Sequence, residues 1–423
     1  MIKKIITSVL FVSLYSCNIN NNPILEQNQT NIFSIEDNNK SEIIKQAEEI
    51  INLYPESAEY FYNWKPSDNE SLELKKSIAN KISNKNILSQ EKINKILTQG
   101  KINNEISLNK FKPISFDEDQ GEHKSKFTEW WYYNGHLNTD DGKKYGYELC
   151  FFRVATFIYF AHIAITDENN QKFYYERKFY SPKIVKTDNK KANVIFDKNG
   201  MIQTDKFSYK IFGEVKGFQF NLNLKMNKEP LLINGNGLID MPEGKDSYYY
   251  SLTKLETTGF LIENGVRKNV KGQSWFDHQW GNFYVMRVGW DWFSFQMEDN
   301  TEYNLFSFRN KKDQTLKQYV NVLNSNNKSD HSVGFNIQRL DWWTSPFTND
   351  LYVTKWKIDI PQRKETFIVT AVHPGQEVFP IKKYDIAPSY WEGKCYVEKQ
   401  DENGKITKGL SYVEHFKYLK QIP

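Results

Sequence analysis

Gly272-Gln273-Ser274-Trp275-Phe276-Asp277-His278-Gln279-Trp280-Gly281 sets two titratable residues side by side in an aromatic strand pattern bracketed by glycines. The opening of this pattern recurs near the C-terminus as Gly409-Leu410-Ser411-Tyr412-Val413-Glu414-His415: glycine, any residue, serine, aromatic, apolar, acid, histidine. A second pair matches Tyr147-Glu148-Leu149-Cys150-Phe151-Phe152-Arg153 with Tyr303-Asn304-Leu305-Phe306-Ser307-Phe308-Arg309. Each member of that pair follows a Trp-rich strand, Glu129 to Leu137 or Gly289 to Met297, across a turn signal, Asp141-Gly142 or Asp299-Asn300, as in a β-hairpin. Elements recurring in the same order read as a duplicated β-domain.

The composition suits that reading. Aromatic residues make up 15% of the 423 residues, and each buries roughly 150–250 Å². A large core is therefore within reach although the mean hydropathy is −0.69. The formal charge of +4 is too small to argue for nucleic acid or an anionic surface as partner. Three cysteines, Cys17, Cys150 and Cys395, exclude a disulfide framework as the stabilising device.

From the start of the chain, Lys3 and Lys4, the apolar run Ile5 to Val12, and Leu14-Tyr15-Ser16-Cys17 describe a secretory signal over 1–17. Leu-x-Ser-Cys resembles the bacterial lipobox, which implies a lipid on Cys17 and a cell-envelope protein tethered to a membrane without spanning it. Residues 18–40 are polar and aperiodic, a linker. Residues 41–111 carry apolar positions at helical spacing, such as Ile43, Ala47, Ile50 and Tyr54, and form a helical N-terminal region. Its partner is the rest of the chain or another protein, and the sequence names no protein.

From about Phe111 the period switches to two. Strand candidates include Tyr145–Phe152, Phe157–Ile165, Tyr248–Leu255, Trp290–Met297, Val333–Leu340 and Trp391–Val397, with turns expected at Asn199-Gly200, Asn264-Gly265 and Asn403-Gly404. Many short strands without intervening helices give a mainly β fold: two tandem antiparallel lipocalin-like β-barrels, 112–284 and 285–423.

In the second motif copy Lys417 marks the face of Val413 and His415 as outward, so Glu414 is expected inside its barrel and, by the repeat, Asp277 inside the first, with His278 opposite. An acid among aromatics has a raised pKa and serves as a proton donor. The alternative makes Asp277 and Glu414 structural partners of inward arginines such as Arg153 and Arg309. His162 on a strand, and Glu129 before the Trp130-Trp131-Tyr132-Tyr133 run, are further candidates. No nucleotide fingerprint, nucleophile elbow or zinc spacing is present, and the histidines lack the clustering a metal needs.

Glu129-Trp130-Trp131-Tyr132-Tyr133-Asn134-Gly135-His136-Leu137, Phe151-Phe152-Arg153, Ala161-His162-Ile163-Ala164, Ser247-Tyr248-Tyr249-Tyr250-Ser251 and Trp275 to Gly281 together resemble the carotenoid 1,2-hydratase (hydroxyneurosporene synthase) family, which also holds lipocalin-like predicted secreted hydrolases. Gly289-Trp290-Asp291-Trp292 and Tyr390-Trp391-Glu392-Gly393 resemble its second half. The resemblance implies two lipocalin-like barrels and, for hydratase members, water addition to an alkene without a cofactor or metal. On that basis Asp277 and His278 are the catalytic candidates. Glu129, Trp131, Tyr133, Arg153, His162, Tyr249, Trp275, Trp280, Trp292, Trp391, Glu392 and Glu414 are the ligand-binding ones. Three roles stay open: an envelope protein binding a hydrophobic or amphipathic small molecule, a hydratase or hydrolase, and a structural protein with filled barrels.

Overall fold

In the computed structural model the described residues are 112–155, 158–241, 245–283, 288–310, 312–380 and 389–416. The expected signal segment with Cys17, the linker and the helical region lie outside them, and the expected boundary at 284/285 falls in an undescribed stretch.

The first sheet contains β1 (Thr128–Thr139), β2 (Lys144–Val154), β3 (Ile158–Asp167), β4 (Lys172–Tyr180), β5 (Val185–Thr187), β6 (Val194–Phe196), β7 (Asn199–Asp205), β8 (Ser208–Val215), β9 (Phe218–Met226), β10 (Leu231–Leu232), β11 (Leu238–Met241), β12 (Lys245–Glu263) and β13 (Val266–Gly281). The second contains β14 (Gly289–Met297), β15 (Glu302–Arg309), β16 (Thr315–Leu323), β17 (Ser329–Ser332), β18 (Asn336–Thr344), β19 (Leu351–Ile360), β20 (Glu365–Ala371), β21 (Glu377–Val378), β22 (Tyr390–Gln400) and β23 (Ile406–Phe416). Every ladder is antiparallel, and the described residues contain no α-helix.

The duplication is written in the strand order. One sheet runs β4-β3-β2-β1-β13-β12-β9-β8-β7 before its last two strands, the other β17-β16-β15-β14-β23-β22-β20-β19-β18. The strands carrying the two motif copies, β13 and β23, hold the same place in this order. Their first hairpins match as well. Gly142 N–H donates to Thr139 O at 3.0 Å and Asn300 N–H to Met297 O at 3.1 Å, with positive φ of 82° and 65° at the two closing residues. The leading glycine of each motif copy sits where two backbones nearly touch. A Cβ on Gly272 would lie 1.9 Å from His136 O, and one on Gly409 2.8 Å from Gln296 O. Only glycine permits that approach.

Each sheet curls over its own core. Phe151 on β2 meets Phe196 on β6 at 4.9 Å although several strands separate them. Phe293 on β14 likewise meets Trp356 on β19 at 5.7 Å. Among the described residues no ladder joins the two end strands of either sheet, so the barrels are curled sheets rather than hydrogen-bonded rings. Two local expectations change. The β6–β7 turn is Asp197-Lys198, with Asp197 at φ 62°, and Asn199-Gly200 already belong to β7. Val333–Leu340 is interrupted at Gly334, φ 86°, between β17 and β18. The Asn264-Gly265 hairpin turn is as expected, with φ of 49° and 83°.

A third apolar cluster lies between the sheets, built from Tyr132, Cys150, Tyr249, Trp275, Trp292, Phe306 and Tyr412 among others. The sheets form one compact unit with the Ile114–Lys124 segment. Strands at this junction are buried on both faces: every residue of β15 is buried, and all but two of β1. That inverts the face assignment made from Lys417. Phe276 and Trp280 belong to the interior of the first sheet and Val413 to that of the second. Trp275 and Tyr412 belong to the junction instead. Asp277 and Glu414 therefore face the junction, and His278 and His415 the two interiors. The period-two pattern was read correctly, but with both faces apolar it carries no sign.

Candidate functional site

Register builds the site. On the junction face of the first sheet, Ser251, Asp277, Tyr132, Cys150, His162 and Arg177 are cross-strand neighbours in one row over β12, β13, β1, β2, β3 and β4. The second sheet opposes a row of Glu392, Glu414, Trp292, Phe306 and Tyr319. Residues one strand apart on one face pack directly against each other, so a row is a continuous wall. Between the walls lies a cavity of about 100 Å³. Asp277, Glu148, Glu392 and Glu414 line it, set among Trp130, Trp290, Trp292, Phe152, Phe306 and Phe308.

Asp277 is held by donors alone. Ser251 Oγ–H donates to Oδ1 at 2.5 Å and Trp275 Nε1–H at 2.6 Å. Tyr249 O–H donates to Oδ2 at 2.5 Å. The direction of this last bond is forced, because Tyr249 oxygen itself receives Trp292 Nε1–H and Asn304 Nδ2–H, both at 2.9 Å. Two donors use the acceptor capacity of Oδ1 and one that of Oδ2. A proton on Asp277 therefore resides on the remaining lone pair of Oδ2. Burial pushes the carboxyl up to about 7 against the pull of Ser251, Tyr249 and Trp275.

The three glutamates reinforce one another. Burial, then the charge of Glu414, raise Glu148, with Arg177 opposing. Burial, then Glu148 and Glu414, push Glu392 well above the usual carboxylate range. Burial also raises Glu414, opposed by a hydrogen bond from Trp290. Tyr132 O–H donates to Glu392 Oε1 across the junction. His162 Nδ1 meets Tyr390 OH at 2.5 Å, and burial holds that ring neutral.

The arginines expected to partner Asp277 and Glu414 are engaged elsewhere. Arg153 Nη2 donates to Glu129 Oε2 at 2.8 Å, and His278 Nε2 donates to Glu129 Oε1 at 3.0 Å inside the first sheet. In the second sheet Arg309 pairs with Asp291 at 2.9 Å and His415 Nδ1 contacts the same carboxylate. Each core thus buries a histidine–carboxylate–arginine network. Burial alone would raise Glu129, but His123, His278 and Arg153 hold it well below the usual range. Arg309 and His415 do the same for Asp291. Burial lowers His278 to about 4, so its ring is neutral.

His123, Glu129 and His278 bring ligand atoms within 4.8 Å of one another, a clustering the sequence did not reveal. Their donors and acceptors are already matched, since His123 Nδ1 lies 2.7 Å from Glu129 Oε1. The second core repeats the network without a second histidine.

Of the residues singled out from the sequence, Asp277, Tyr249, Trp292, Glu392 and Glu414 meet at the cavity, with Trp275 and His162 one bond away. His278, Glu129, Trp131, Tyr133, Arg153 and Trp280 serve the first interior, and Trp391 the second. His278 therefore stands on the opposite face of β13 from Asp277. The reading missed Glu148, Tyr132, Tyr390 and Ser251. Glu148 had a signal: an acid inside an aromatic strand, two residues before a cysteine.

The crystal structure of an AttH-type protein from Nitrosomonas europaea matches with a TM-score of 0.67 at 24% identity, covering 73% of this chain and 98% of that one. Kievitone hydratase from Nectria haematococca matches at 0.61 and 15% identity, covering 74% and 94%. At these identities the likeness establishes the fold. No curated protein sequence matches the chain. The model of the AttH-like family spans residues 107–418, and the chain belongs to that family.

Proposed function

We propose that the protein adds water to, or removes it from, a carbon–carbon double bond of an apolar small molecule held in the junction cavity, the chemistry of the carotenoid 1,2-hydratases. One observation carries this: Asp277 is a buried acid facing an aromatic cavity, with no arginine or lysine among the described residues bonded to it, and burial raises it to about 7. Protonating an alkene needs an acid still protonated near neutrality. The Oδ2–H bond breaks, a C–H bond forms, and the neighbouring carbon becomes cationic. Water then attacks that carbon, and its proton passes to a carboxylate among Glu148, Glu392 and Glu414. Aromatic faces stabilise the passing cation at roughly 0.5–2 kcal/mol each. Kievitone hydratase, of the same fold and a hydratase by name, lends support.

The test is incubation of the purified chain with isoprenoid olefins in isotopically heavy water, read by mass spectrometry. Label should enter with the native protein and fail with Asp277→Asn; equal incorporation by both refutes the role. The aromatic lining also favours a second reading, a carrier that binds such molecules without converting them. Retention of a ligand through purification, with no label incorporated, would select it. We further place the protein in the cell envelope through a lipid on Cys17, and fatty-acid labelling should vanish in Cys17→Ala.

A further inference from the structure

Glu148 is 1% exposed and lines the cavity, yet neither Oε1 nor Oε2 has a hydrogen-bond partner among the described residues. Leaving a buried carboxyl without donors is costly, so its position calls for a ligand that supplies positive charge or N–H groups. The neighbouring groups sharpen this. The first sheet contributes Tyr249, Asp277, Tyr132, Glu148, Cys150, His162 and Arg177 to its side of the junction, and the second contributes Tyr390, Glu392, Tyr412 and Glu414. Within this set Arg177 opposes Glu148, and burial keeps His162 neutral. Other basic groups at the junction are engaged away from the cavity, Lys394 with Glu168 and His136 with Ser411 O, the latter ring kept neutral by burial. Four carboxyls thus line a cavity whose described lining holds no lysine, arginine or histidine, and the remaining wall is largely aromatic.

We infer that the cavity selects organic cations, seating a tertiary or quaternary ammonium head between Trp130, Trp290 and Trp292 and against Glu148, Glu392 and Glu414. Aromatic faces attract such a head and the glutamates neutralise it. An anion is repelled, and an uncharged head of the same shape gains only the apolar contact. A hard divalent ion wants six or more oxygen ligands, whereas both Asp277 oxygens and one of Glu392 are already engaged by donors and the rest of the wall is aromatic. The inference rests on the proposed hydration only in placing the ligand beside Asp277. A site complementary to ammonium is also complementary to the cation that protonation of an alkene creates.

The probe is choline, compared with its uncharged isostere, in which a tert-butyl group replaces the trimethylammonium head, and with a carboxylate of equal size. Binding to the full chain is read by tryptophan fluorescence. Choline should bind at least about tenfold more tightly than the isostere near pH 8. The ratio should fall as pH drops and the raised carboxyls take up protons. Glu148→Gln and Glu392→Gln should each cut choline affinity while leaving isostere affinity unchanged and the chain folded by circular dichroism. Equal affinities, a ratio independent of pH, failure of choline to bind, or its displacement by magnesium ions would overturn the inference. Label incorporation into olefins with equal affinities overturns the selectivity and spares the hydration; choline selectivity without incorporation does the reverse.

Discussion

Asp277→Asn discriminates most sharply, because the fold reverses the sign expected of a carboxylate partnered by arginine. The native carboxyl is raised from 3.8 to about 7 by burial. Below 3.8 both folded and unfolded chains hold the proton, and the acid costs nothing. As pH rises from there to about 7, the unfolded chain releases the proton and the folded one keeps it, so folding loses stability. Above that the penalty is constant, roughly 4 kcal/mol for about three units. Asparagine abolishes this penalty but brings its own. Its carbonyl still accepts from Ser251 and Trp275, whereas its N–H₂ meets a Tyr249 oxygen already holding two donors, at a cost of about 1–3 kcal/mol. The variant should therefore be less stable than the native chain near pH 4 and more stable near pH 8, crossing between. Urea unfolding of both proteins across this range measures the difference, to which removal of the Asp277 charge from beside Glu392 and Glu414 adds in the same direction at high pH. A deficit that stays constant or grows with pH would refute the burial argument and restore a buried ion pair.

Glu129→Gln should show the opposite trend: removal of the carboxylate between Arg153, His123 and His278 costs about 3–5 kcal/mol at neutral pH. The deficit should narrow as pH falls below the unfolded value of 4.5, since the native carboxyl is depressed; denaturant titration at two pH values checks it. Tyr132→Phe removes the bond to Glu392 across the junction and should cost about 1–3 kcal/mol, seen as a lower melting temperature. Gly272→Ala forces a Cβ against His136 O and should cost about 1–3 kcal/mol or more. Alanine at Gly142, where a Cβ meets nothing within 4 Å, should show only the backbone strain of its positive φ.

The β class, the doubled hairpins and the repeated glycine–serine–acid–histidine strand were legible in the residues because each is local. Period-two runs, turn chemistry and a motif written twice need no knowledge of what packs on what. The side of β13 that faces the cavity was not legible. Phe276, His278 and Trp280 alternate with Trp275, Asp277 and Gln279, and all six are buried, so neither hydrophobicity nor a distal lysine tells interior from junction. The partner of each charge was hidden for the same reason. Arg153 reaches Glu129 because their strands pair in that register, whereas Glu148 meets Glu392 and Glu414, themselves paired across β22 and β23, only when the second sheet closes over the first. More than two hundred residues separate Glu148 from the other two, and no local pattern encodes contacts made by docking one folded sheet on another. Asp277 as a candidate acid was readable from its aromatic neighbours; its donors come from β12 and β13 of its own sheet, whereas its full burial and the glutamates opposite it are products of that docking.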